Sequence, residues 1–122
     1  MSTRLSCHCG AIELVIAQHP PLETARRCDC SFCKRRQAPT IGVHAADLTI
    51  TKGAEHLATY SWGTGKAEHH FCKICGIYTH HRRRLPDGNG DFGINIACLD
   101  GVDPKTLEPF DYFEGQAITP NT

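Results

Sequence analysis

Seven of the eight cysteines in this 122-residue chain fall into three tight groups, and no other feature restricts the fold as severely. Cys7-His8-Cys9-Gly10 near the start and Cys72-Lys73-Ile74-Cys75-Gly76 far downstream offer two pairs, each followed at once by glycine. Two hairpin turns of this kind can converge to set four thiolates tetrahedrally about 2.3 Å from a Zn²⁺ ion, with glycine allowing the tight backbone of each knuckle. Because the pairs come from opposite ends of the chain, such a metal would cross-link distant strands. Cys7, Cys9, Cys72 and Cys75 therefore read as a closed, structural metal site.

The third group, Cys28-Asp29-Cys30-Ser31-Phe32-Cys33, holds only three sulfurs. Three thiolates on Zn²⁺ leave one coordination position for water or a substrate thiol, and a thiol held there loses its proton near neutral pH while remaining nucleophilic. Two alternatives stand beside this open site. One of the eight histidines or Cys98 could close it as a fourth ligand, or the triplet could be a metal-free redox cluster. Arg26, Arg27, Lys34, Arg35 and Arg36 surround it against the single carboxylate of Asp29. These cations either stabilise the negatively charged, thiol-loaded metal and hold carboxylates of an anionic thiol, or form a solvated basic face.

Even cysteine counts often mean disulfides in secreted chains. Here Met1 to Cys7 contains no signal-peptide core, and the C-x-C and C-x-x-C spacings favour a reduced, metal-binding set. Thirteen basic residues balance thirteen acidic ones, so general attraction to nucleic acid or an anionic membrane is not expected; the Arg82-Arg83-Arg84 run reads as solvated surface. No apolar run approaches the roughly 20 residues needed to span a bilayer. The expectation is one cytoplasmic domain over residues 1–122.

Periodicity predicts a mainly β chain. Ala11 to Ile16 reads as a strand with Ile12, Leu14 and Ile16 on one face, and further strands are predicted over Glu23–Cys28, Thr40–Val43, Leu48–Lys52, Leu57–Trp62, Ala67–Phe71, Ile77–Arg82 and Asp91–Cys98. Turns are expected at Gly63-Thr64-Gly65 and over Leu85 to Gly90. Ser31 suits a helix N-cap, predicting one or two helical turns that stop before Pro39 and aim backbone N–H groups at the thiolates. Phe110, Tyr112 and Phe113 are placed back against the sheet. His69, His70, His80 and His81 read as surface or strand residues rather than ligands, His8 as exposed, and Cys98 as a small core residue.

With its three cysteine groups in view, the chain resembles the glutathione-dependent formaldehyde-activating enzyme family, also called the centromere-protein-V-like or GFA domain family. Asn95-Ile96-Ala97-Cys98-Leu99-Asp100 resembles that family's late strand, and the likeness runs over roughly residues 4 to 115. It implies a zinc-stapled twisted-sheet β-tent of the Mss4-like type. One structural zinc would sit on Cys7, Cys9, Cys72 and Cys75, and a second, open zinc, of full or partial occupancy, on the catalytic group Cys28, Cys30 and Cys33. The implied reaction joins formaldehyde to glutathione as S-hydroxymethylglutathione and is classed with carbon–sulfur lyases. Its partners would be a small thiol and an aldehyde, with no nucleic acid and no membrane. Asp29, between the first two sulfurs, departs from many members and would repel an incoming thiolate.

Two other readings compete. A non-catalytic zinc-binding module would need a fourth protein ligand on the triplet. A zinc-containing methionine sulfoxide reductase would use Cys98 as a late nucleophile, but the triplet and the C-x-C pair fit it poorly.

Overall fold

The computed structural model describes residues 2–62, 67–83 and 91–114. Among the described residues ten short strands form two sheets. β1 (Thr3–Ser6), β2 (Glu13–Ile16) and β5 (Leu48–Lys52) make a three-stranded sheet in the order β1-β2-β5. The second sheet joins β3 (Arg26–Cys28), β4 (Thr40–Val43), β6 (Leu57–Tyr60), β7 (Ala67–Cys72), β8 (Tyr78–Arg83), β9 (Phe92–Asn95) and β10 (Asp111–Phe113), in the order β10-β3-β4-β9-β8-β7-β6. Strand pairing is antiparallel except where β10 runs parallel to β3. The mainly β architecture expected from periodicity is the one observed.

The core lies where the two sheets meet. Leu5 pairs with Leu14 across β1 and β2, Ile41 pairs with Ile94 across β4 and β9, and Leu5, Leu14 and Ile94 are fully buried. Ile12, Leu14 and Ile16 share the inward face as the alternation predicts. Cys7 and Cys72 belong to the same buried cluster, so both cysteine knuckles are rooted in the core.

Three predicted elements are reshaped by local chemistry. The strand expected over Glu23–Cys28 begins only at Arg26, because a 3₁₀ turn over Leu22–Thr24 intervenes. Pro21 seeds it: its carbonyl accepts from the Thr24 N–H at 3.0 Å and the Thr24 hydroxyl at 2.7 Å. The strand expected over Asp91–Cys98 stops at Asn95, which accepts the Ala97 N–H at 3.1 Å and donates to the Tyr78 carbonyl at 2.9 Å. An asparagine side chain that competes with the ladder in this way turns the chain into a 3₁₀ segment over Ile96–Cys98.

The predicted helix is one turn, α1 (Cys33–Arg36), and Ser31 is not its cap. Phe32 occupies that position, while the sulfur of Cys30 accepts the Cys33 N–H at 3.3 Å, in the role a serine oxygen would fill. Gln37 ends the turn in the left-handed region at φ 54°. The late aromatic group does return to the sheet. β10 pairs Phe113 with Cys28, Phe110 packs on the core, and Tyr112 stays half exposed with its hydroxyl on Gln37 at 3.2 Å. The turns predicted at residues 63–65 and 85–90 lie outside the described residues, as does Arg84.

Leu14 and Ile50 face each other across β2 and β5, yet Leu14 is fully buried whereas Ile50 is 41 % exposed. Leu14→Ala should lower unfolding free energy by about 2–5 kcal/mol, and Ile50→Ala by less than about 1 kcal/mol. Denaturant melts of the two variants check this packing, and equal losses would contradict it.

Candidate functional site

The two knuckles are built alike. In the first, Gly10 N–H returns to the Cys7 carbonyl at 3.3 Å and Cys7 N–H reaches the Ile12 carbonyl; in the second, Gly76 N–H returns to Cys72 at 2.8 Å and Cys72 N–H reaches Ile77. Gly10 and Gly76 both adopt φ 81°, a left-handed conformation that explains why glycine follows each pair. Backbone N–H groups then point at sulfur, from Ile12 to Cys7 at 3.3 Å and from Ile74 and Cys75 to Cys72 at 3.4 and 3.5 Å.

These turns bring Cys7, Cys9, Cys72 and Cys75 together, with all four sulfurs within 4.8 Å of one another. Cys9 Sγ lies 3.7 Å from both Cys7 Sγ and Cys72 Sγ. Sulfurs placed tetrahedrally at the roughly 2.3 Å of a zinc–thiolate bond would be about 3.8 Å apart, so the donor set fits a metal ion of that size. Burial opposes a charged Cys75, but hydrogen bonds from the N–H groups of Cys9 and Ile77 and from neighbouring thiols bring it down to about 6, while Cys9 is pushed up to about 11. Four sulfurs this close cannot all ionise without a cation among them.

The triplet forms a second cluster, again with its sulfurs within 4.8 Å. Cys28 ends β3, Cys30 is buried in the following turn, and Cys33 opens α1. The segment is pinned from the side: Asp29 N–H donates to the Phe113 carbonyl of β10 at 3.1 Å. A hydrogen bond from the Cys33 thiol, against the cost of burial, lowers Cys28 to about 6, with the Cys30 N–H helping and the Asp29 charge opposing. Cys33 is driven upward by the same shared proton and by burial. Among the described residues no fourth histidine, cysteine or carboxylate joins the group. The fourth-ligand alternative is therefore not realised among them.

The basic residues around the triplet divide by task. Arg26 lies over Phe113, and Arg27 lies over Phe110 while pairing with Glu108 at 3.3 Å. Arg35 reaches back to the Ser31 carbonyl. Arg36 is different: its Nη2 is 3.5 Å from Cys33 Sγ, and its guanidinium is stacked 3.6 Å from the Tyr78 ring and 4.5 Å from Phe32.

Arg36 leads into a feature that sequence reasoning missed, a cleft of about 390 Å³ lined by Phe32, Arg36, Tyr60, His69, Phe71 and Tyr78. A register shift between His70 and Phe71 creates this wall by pairing Phe71 with Tyr78. Strict alternation would put Tyr78 on the face of His80; the bulge instead turns it toward His81, whose Nδ1 meets the Tyr78 hydroxyl at 2.6 Å. The four histidines of β7 and β8 are strand residues as expected, but His69 and His80 are buried rather than at the surface, whereas His8 is exposed. Cys98 packs partly buried against the core, donates to the Tyr78 carbonyl at 3.5 Å, and is pushed up to about 12 by burial, which suits a core thiol.

Residues 2–113 match the sequence model described as glutathione-dependent formaldehyde-activating enzyme. The chain belongs to that family. A Halomonas elongata protein named for the same family is 36 % identical over 81 residues, covering 57 % of this chain and 49 % of the relative. The chain thus spans about half the length of that curated relative. Its fold is also that of a Rhodobacter sphaeroides protein of known crystal structure, at a TM-score of 0.81 and 42 % identity over 90 % of this chain and 99 % of the other.

Two predictions follow from this geometry. After loading with Zn²⁺, Cys72→Ser should retain one equivalent fewer than the wild type and lose at least about 3 kcal/mol of stability, while Cys30→Ser should also retain one fewer but leave both sheets folded. Metal analysis with thermal melts distinguishes them, and equal damage from both would contradict the division. Burial holds His80 at about 3, against 6.5 for a free imidazole. The unfolded chain binds a proton that the folded chain refuses between those values, so stability is full above about pH 6.5 and is lost as pH falls toward 3. The fall in stability from pH 7 to 4 should be shallower in His80→Gln than in the wild type, and parallel curves would contradict it.

Proposed function

We propose that this chain is a carbon–sulfur lyase-type enzyme that joins glutathione, or a similar small thiol, to an aldehyde, with S-hydroxymethylglutathione as the adduct when the aldehyde is formaldehyde. Family membership supports the substrate class. The observation that carries the reading is the triplet: three converging thiols, no fourth protein ligand among the described residues, and a guanidinium on one of them.

In this reading Cys7, Cys9, Cys72 and Cys75 hold a structural zinc, and Cys28, Cys30 and Cys33 hold a second. Zinc at the triplet supplies acidification of a thiol bound beside it. The protein's own groups do the rest. Arg36 offsets negative charge at Cys33, and the exposed Lys34 and Arg35 on α1 offer cations to the thiol's carboxylates. The Cys33 N–H and the β10 carbonyl on Asp29 hold the sulfurs in place before substrate arrives. As sulfur adds to the carbonyl carbon, the C=O π bond breaks, and the thiol's proton ends on the oxygen as a hydroxyl.

The unit is read as one domain over residues 1–122 acting in the cytoplasm, without nucleic acid or membrane. Among the described residues no helix is long and apolar enough to cross a bilayer. A non-catalytic zinc module needs a fourth ligand that the described residues do not supply.

Exchange between ¹³C-formaldehyde and glutathione, followed by NMR, tests the proposal. The zinc-loaded protein should speed adduct formation above the spontaneous rate, and Cys30→Ser should lose at least about 100-fold of that acceleration. A wild-type rate equal to background, or an unimpaired variant, would overturn it.

A further inference from the structure

The aromatic cleft beside the triplet is too large for formaldehyde. At about 390 Å³ it is within the usual range of small-molecule sites, whereas formaldehyde has two heavy atoms. Its walls are flat rings. The Phe32 ring lies 5.3 Å from Tyr60 and 4.6 Å from His69, and Trp62 stands behind it at 6.2 Å. Tyr60 is 47 % exposed and forms an accessible side of the opening. Such surfaces gain most from a planar apolar body stacked or set edge-on among them.

The cleft also has a polar end, formed by Arg36 and His69. Arg36 Nε and His69 Nδ1 lie buried beneath that end of the cleft, closed to solvent and with no hydrogen-bond partner, which is uncommon for polar nitrogens. A small turn of either side chain would give its nitrogen, in a ligand oxygen, the partner it lacks. Burial holds His69 at about 4, so it is a neutral imidazole and adds no charge at pH 7. One cation and one neutral ring make a poor site for the two carboxylates of glutathione, but they match a single uncharged oxygen. Arg36 is common to both places, with Nη2 3.5 Å from Cys33 Sγ and its side chain part of the cleft wall.

We infer that the cleft takes an aromatic aldehyde as the carbonyl substrate, its ring among Phe32, Tyr60 and Tyr78 and its oxygen toward Arg36 and His69. The inference rests on the thiol-plus-aldehyde reading above. The chemistry balances without an oxidant or reductant: one S–C bond forms, the C=O π bond opens, and the thiol proton becomes the hydroxyl proton of the adduct.

The test uses the full zinc-loaded chain and its one tryptophan, Trp62, as reporter. Benzyl alcohol, which cannot react with thiols, should quench Trp62 fluorescence saturably, without zinc loss and whether or not glutathione is present. Tyr60→Ala should weaken that binding about tenfold, and should lower the benzaldehyde-to-formaldehyde ratio of kcat/KM with glutathione by a similar factor. His69→Phe keeps the ring wall and removes the polar nitrogen, so it should raise KM for benzaldehyde more than it alters benzyl alcohol binding. No saturable quenching, or benzyl alcohol displaced by glutathione, overturns the inference even where formaldehyde is turned over. Ring binding without turnover of any aldehyde refutes instead the reaction on which it rests.

Discussion

Everything else in this fold hangs on four sulfurs brought together from the two ends of the chain. Cys7 and Cys9 follow β1 of the small sheet, and Cys72 and Cys75 join β7 to β8 in the large one, so their cluster ties the two sheets at one point. Its sulfurs stand about 3.7 Å apart, close enough that together they could ionise only around a cation, and the set could hold a metal ion. A domain of this size buries a modest core, and a metal ion held there would close a loop of more than sixty residues and compensate for that.

The same junction sets up the chemistry nearby. β7 and β8, joined at the knuckle, carry the bulge after His70, and the bulge decides which aromatic side chains line the cleft. His81 shows how tightly this is fitted: a Cβ on its cross-strand partner Gly93 would stand 2.2 Å from the imidazole Cε1. The triplet comes from the other side of the sheet order, at the β3–α1 corner, and meets the cleft through Arg36. One residue thus senses the charge on Cys33 and shapes the ring-lined wall.

Much of the site was legible in the sequence because metal ligation writes itself as short-range spacing. Two glycine-terminated pairs and one triplet specify which sulfurs group together, and the coordinates group them that way. Period-two alternation likewise located the inward face of β2. The failures share a cause: a side chain bonded to nearby backbone where a pattern rule foresaw the regular element. Asn95 ended a strand, Thr24 delayed one, and Cys30 sulfur took the capping role foreseen for Ser31. The cleft was hidden for a related reason, since a one-residue bulge moves Tyr78 to the opposite face and no local motif announces it. The burial of His69 and His80 followed from that same long-range packing.

The central claim is one closed and one open thiolate site, and zinc-edge X-ray absorption of the fully loaded protein tests it most directly. Four sulfurs on one zinc and three on the other give an average of about 3.5 per metal, rising toward about four when glutathione is added. An average of four that glutathione leaves unchanged would mean that both sites are closed by the protein, and the account of the triplet as a thiol-binding centre would be wrong.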